Sequence, residues 1–83
     1  MARTRDARFA DRLPAFANQL RGLRLAAGLT QDQLAERAGL SVTMVQNLER
    51  PSDGGNPRLT TLWALAEAVG VSPAVLLTTQ SST

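Results

Sequence analysis

The sequence predicts an all-α fold, a compact bundle of five short helices, and three observations lead to it. Apolar residues recur at three- and four-residue steps along most of the chain, the spacing of a helical face. The interior has to be aliphatic. The 83 residues hold only three aromatics, Phe9, Phe16 and Trp63, and the Leu, Val and Ala that remain suit helices better than a sheet. Cap and turn residues then divide the chain into helix-length pieces. Hydrophobic residues make up 43% of the chain, too many for a disordered one. The small size allows a single domain with an economical core.

Residues 1–12 read as a polar arm rich in arginine, with Arg3, Arg5, Arg8 and Arg12. The folded domain is expected over residues 13–77. Its first helix places Leu13, Phe16, Leu20, Leu23 and Ala27 on one stripe, with Pro14 in the first turn and Gly28 as the left-handed stop. Thr30 is a good N-cap for the second helix, and Gln33 three residues on completes a capping box. Leu34, Ala35 and Ala38 form the inner face of this helix. Gly39 can take the positive φ of a tight turn, Leu40 plugs the corner, and Ser41 caps a third helix with Val45 and Leu48 inward. Pro51 ends that helix, and residues 51–57 are a loop by composition. The fourth helix carries Leu59, Leu62, Leu65, Ala66 and Val69 and stops at Gly70. Ser72 caps a short fifth helix with Pro73 at its first position, bearing Val75, Leu76 and Leu77. Residues 78–83 form a polar, flexible tail.

The second and third helices have the layout of a DNA-reading helix-turn-helix. In this layout the second helix of the pair enters a major groove while the first crosses the backbone. Ala35 is small enough for two helices to cross closely, Gly39 makes the turn, and Leu40, Val45 and Leu48 lock the pair to the bundle. The third helix presents Ser41, Thr43, Gln46 and Asn47 on a polar face. Val42 and Thr43 can touch a thymine methyl, and Gln46 and Asn47 can each bond adenine bidentately, so these four are the candidate base readers. An ordinary solvated face is the plain alternative. Met44 falls between the edge of the core and a methyl contact, and both readings stay open.

The segment Leu23-Arg24 … Gly28-Leu29-Thr30-Gln31 … Leu34-Ala35 … Ala38-Gly39-Leu40-Ser41 … Leu48-Glu49-Arg50, continued by Pro57 … Leu59 … Leu62 … Leu65-Ala66 … Val69-Gly70-Val71-Ser72, resembles the lambda-repressor/Cro-like (Xre-type) helix-turn-helix family over about residues 14–77. The resemblance implies a lambda-repressor-like DNA-binding domain in a dimeric transcriptional regulator of a palindromic operator. It implies that Gln31 bonds a DNA phosphate, a role that the free N–H groups of a helix start also favour. It further implies that Arg24 and Glu49 form a structural ion pair. Ser41, Arg50 and Arg58 join Gln31 as candidate phosphate contacts. The sequence departs from the family pattern at Pro51, where Gly is common, and Asp53 in the same loop would repel a phosphate. The arginine arm reaches a minor groove or stays a solvated tail.

Charge and composition bound the remaining function classes. Net charge is +2 and the sequence pI is about 11.1, because all nine basic residues are Arg. Arg suits phosphate and guanine, although codon preference explains an absence of Lys equally well. There is no Cys, His or Tyr, so no thiolate or His-based metal site or His general base can be built. The expectation is a non-enzyme with no cofactor and no metal. No apolar run approaches the roughly 18 to 20 residues of a membrane span, and the basic N-terminus lacks the apolar stretch of a signal peptide. A soluble cytoplasmic protein, associated with the nucleoid, is expected.

Trp63, Val71, Val75, Leu76 and Leu77 exceed what a short C-terminal helix pair can bury, so Trp63, Val71, Val75 and Leu76 are the candidate dimer interface. Dimerisation would set two reading helices about 34 Å apart, one turn of DNA. A chain this short leaves no room for a sensor domain, which suits a phage repressor or a restriction–modification controller. The alternative is an antitoxin-like interaction module that neutralises a cognate toxin and autoregulates its operon. RNA polymerase is the other candidate protein partner.

Overall fold

The computed structural model describes residues 12–50 and 57–77. The arginine arm before Arg12, the side chains of Arg12 and Leu13, the loop residues 51–56 with Pro51 and Asp53, and the tail 78–83 lie outside the described residues. Among the described residues five helices follow one another: α1 (Arg12–Ala26), α2 (Gln31–Ala38), α3 (Val42–Leu48), α4 (Leu59–Val69) and α5 (Pro73–Leu77). Among the described residues the architecture is all-helical.

The helix ends follow from their cap chemistry. α1 ends in a turn closed by Gly28 at φ 75°, where the Leu29 amide donates back to the Arg24 carbonyl at 3.1 Å. The capping box of α2 is complete: Gln33 N donates to Thr30 Oγ1 at 3.0 Å, and Thr30 N donates to Gln33 Oε1 at 2.9 Å. Gly39, at φ 72°, turns the chain out of α2, and the Leu40 amide bonds the Ala35 carbonyl at 2.9 Å. Ser41 Oγ then accepts from Met44 N at 3.1 Å and starts α3. Ser72 Oγ accepts from Ala74 N at 3.2 Å and starts α5.

The core is aliphatic apart from Phe16. Phe16, Ala17 and Leu20 of α1 meet Leu34 and Ala35 of α2, Val45 and Leu48 of α3, Leu62, Leu65, Ala66 and Ala68 of α4, and Leu76 of α5, with Leu29 filling the gap between the first two helices. α2 packs against both α3 and α4, while α5 packs against α4 and α1. Gln19 Nε2 donates to the Val75 carbonyl at 3.0 Å, which fastens α5 to α1 from the other end of the sequence.

Three positions differ from the sequence expectation. Ala27 lies past the end of α1 and is exposed; Ala17 takes a place in the core instead. Leu59 is the first residue of α4 and is 59% exposed, because the helix turns toward the core only from Leu62 onward. Leu77, one of the apolar residues in excess of what the C-terminal helices bury, is exposed at the end of α5. Leu76, expected at a dimer interface, is wholly buried within its own chain. Because α5 lies against both α1 and α4, its one inward side chain is covered on all sides and offers nothing to a second protomer.

Candidate nucleic-acid interface

The rotation of α3 about its own axis is set from behind. Val45 is fully buried and Leu48 nearly so, and both project into the core. At about 100° per residue, Thr43 then points almost opposite that pair, with Gln46 and Asn47 on either side of it. The burial pattern agrees: Thr43 and Gln46 are exposed and Asn47 is half-buried. Val42 is also half-buried and packs against the core, so only part of its side chain faces outward. Met44 sits at the margin of the face and is 41% exposed.

A groove of about 680 Å³ opens beside this face, between α3 and the start of α4. Thr43, Met44 and Asn47 stand along one wall, with Ser41 at its end. Pro57, Arg58, Thr60 and Thr61 line the other wall, and Leu48 lies in the floor. Arg58 holds the N-cap position of α4 in an extended conformation, without a side-chain capping bond, and its side chain is exposed. Arg50 is exposed just past α3. Thus Ser41, Thr43, Asn47 and Arg58 share one concavity, while Gln46 lies outside its lining.

Behind this surface lies a buried polar cluster. Arg24 Nε donates to Glu49 Oε2 at 2.7 Å and its second terminal nitrogen donates to Oε1 at 3.0 Å, a bidentate pair. The remaining terminal nitrogen of Arg24 donates to the Leu29 carbonyl at 2.8 Å. Both residues are buried, and Glu49 is the residue that ends α3. One partner escaped sequence reasoning: Gln31 Nε2 donates to Glu49 Oε1 at 3.1 Å. Gln31 is the first residue of α2 and half-buried, so its amide joins the start of the supporting helix to the end of the reading helix. A Gln and a Glu eighteen residues apart carry no local signal of such a bond. The second hydrogen of that amide is a donor of the kind a phosphate oxygen accepts.

Trp63 is 53% exposed on α4, and Val71 and Val75 are half-buried. Among the described residues no cluster of His, Cys, Asp or Glu could hold a metal ion, and no helix is long and apolar enough to cross a membrane.

A capped two-helix unit with a glycine turn, its second helix locked from behind and polar in front, defines a helix-turn-helix DNA-binding module. The helix-turn-helix family model matches residues 20–76, most of the chain. The chain belongs to the lambda-repressor/Cro-like (Xre-type) helix-turn-helix family of DNA-binding transcriptional regulators. It is 41% identical over 61 residues to an uncharacterised HTH-type transcriptional regulator, y4dJ, of Sinorhizobium fredii, covering 74% of this chain and 77% of that protein. It is also similar to the crystal structure of the restriction-modification controller protein C.AhdI from Aeromonas hydrophila. That match has a TM-score of 0.72 and 37% identity and covers 81% of this chain and 97% of the other. The antitoxin-like alternative is not favoured by these relatives.

Proposed function

We propose that this regulator binds a palindromic operator as a homodimer, in the manner of a restriction–modification controller. The likeness to C.AhdI, a restriction-modification controller over nearly its whole length, supports that type in preference to a phage repressor. The observation that carries the reading is the orientation of α3, with Val45 and Leu48 inward and Thr43, Gln46 and Asn47 outward. Asn47 and Gln46 read adenine edges, Thr43 a thymine methyl, and the outer part of Val42 adds apolar contact. Gln31, Ser41, Arg50 and Arg58 hold the flanking phosphates and set the register of the helix. Trp63, Val71 and Val75 supply the twofold contact. The protein works in the cytoplasm on the nucleoid, by occupancy of DNA and not by catalysis.

Selection of duplexes from a random-sequence pool, followed by mobility-shift titration, tests this. The selected sequences are expected to show dyad symmetry. Thr43→Ala and Asn47→Ala should each cost about 1–3 kcal/mol per lost base contact, one contact in each half-site, and relax preference at that position. Equal affinity for selected and scrambled duplexes rejects the reading.

A further inference from the structure

Resting on the operator reading above, we propose that Met44 is a specificity residue, which reads a thymine by covering its C5-methyl group. Met44 is the one large apolar side chain standing out from the reading helix: it is 41% exposed, while Val45 and Leu48 are sunk in the core and Val42 leans on it. The core does not need it. Leu48, one turn further on, is only 3% exposed and already closes the interior at this point.

Its surroundings give the side chain a direction. Met44 lines the groove together with Leu48 and Pro57, an apolar strip among the hydroxyl and amide groups of the other lining residues. A phosphate or a base donor placed over that strip loses water and finds no partner, which is unfavourable. The one apolar group on the major-groove edge of the bases is the thymine methyl. A flexible thioether chain adapts to such a small target, and apolar contact there excludes water without fixing a hydrogen bond. Thr43 and Asn47 line the same groove, so their contacts to neighbouring bases, through the Thr43 methyl and the Asn47 amide, set where the thymine methyl lies.

The test uses the full chain and the tightest duplex recovered from a random pool. Each thymine is replaced in turn by uracil, which removes only the methyl. Wild type is expected to lose affinity about three- to fivefold at the thymine of each half-site that Met44 covers, beside any thymine that Thr43 contacts, the worth of one buried methyl. Met44→Ala should bind the thymine and uracil duplexes equally at that position while keeping discrimination elsewhere. Met44→Leu, which keeps apolar volume, should restore the preference. Thermal melts of the free variants report whether the fold is intact; the exposed position of Met44 predicts little change. Three results overturn the proposal: no thymine-to-uracil effect at any position, the same effect in Met44→Ala as in wild type, or a loss in Met44→Ala that is uniform across all duplexes. A chain that does not distinguish the selected duplex from a scrambled one fails at the operator reading instead, and this proposal falls with it.

Discussion

Replacing Arg24 with Met isolates what the buried cluster contributes. The change removes two charge-assisted bonds to Glu49 and the donor to the Leu29 carbonyl. It leaves a carboxylate whose side chain is 3% exposed with only the neutral Gln31 amide as a partner. Removing one member of a buried ion pair costs about 3–5 kcal/mol, because the other charge stays desolvated. At about 0.05–0.15 kcal/mol per residue, a chain of 83 residues has about 4–12 kcal/mol in all. Arg24→Met should therefore lose a quarter or more of the total stability. The double variant Arg24→Met, Glu49→Leu removes the stranded charge. What remains is an unpaired Leu29 carbonyl, about 1–3 kcal/mol, since the half-exposed Gln31 amide can turn to water. The double variant is thus expected to be more stable than Arg24→Met alone. Urea titration followed by far-ultraviolet circular dichroism measures all three proteins. If Arg24→Met stays within about 1 kcal/mol of wild type, the pair behaves as a solvent-screened surface contact and the reasoning is wrong. A double variant weaker than the single one refutes it as well.

Other outcomes follow from separate parts of the molecule. Gly39→Ala should cost about 1–2 kcal/mol through the left-handed backbone alone, since a Cβ there meets no atom within 4 Å; thermal melting should also show Gly39→Asn recovering part of the loss. Trp63→Asp should shift the protein toward monomer in sedimentation equilibrium while leaving its helicity unchanged, and an undisturbed dimer would remove Trp63 from the interface. Arg58→Ala should weaken binding to all duplexes alike and make the log–log salt dependence shallower by about two units, about one for each protomer of the dimer, as read by titration at several salt concentrations.

The fold was legible where local chemistry decides it. Thr30 with Gln33, Ser41, Gly39 and Gly70 mark helix boundaries through bonds made within a few residues, and those bonds are present. The inward faces of α2 and α3 were equally clear, because Leu34, Ala35, Val45 and Leu48 repeat at helical spacing. Periodicity fails at the ends of helices. Leu59 and Ala27 continue their stripes by count, yet they lie where the helix has left the core or already ended. Leu76 shows a different gap: the number of apolar residues near the C-terminus was right, but which of them α1 and α4 cover depends on the docking angle of a five-residue helix. At the candidate site, the outward polar positions follow from the two inward ones. The Gln31–Glu49 bond and the groove beside Met44 do not, since both arise from tertiary proximity between separate helices.

Anchoring α3 through Val45 and Leu48 separates the task of folding from that of recognition. Exposed positions tolerate exchange with stability changes of about half a kcal/mol. A duplicated gene can therefore drift at Thr43 and Gln46 toward a different target while its product keeps the same framework, and two such copies can diverge in one cell without either passing through an unfolded ancestor.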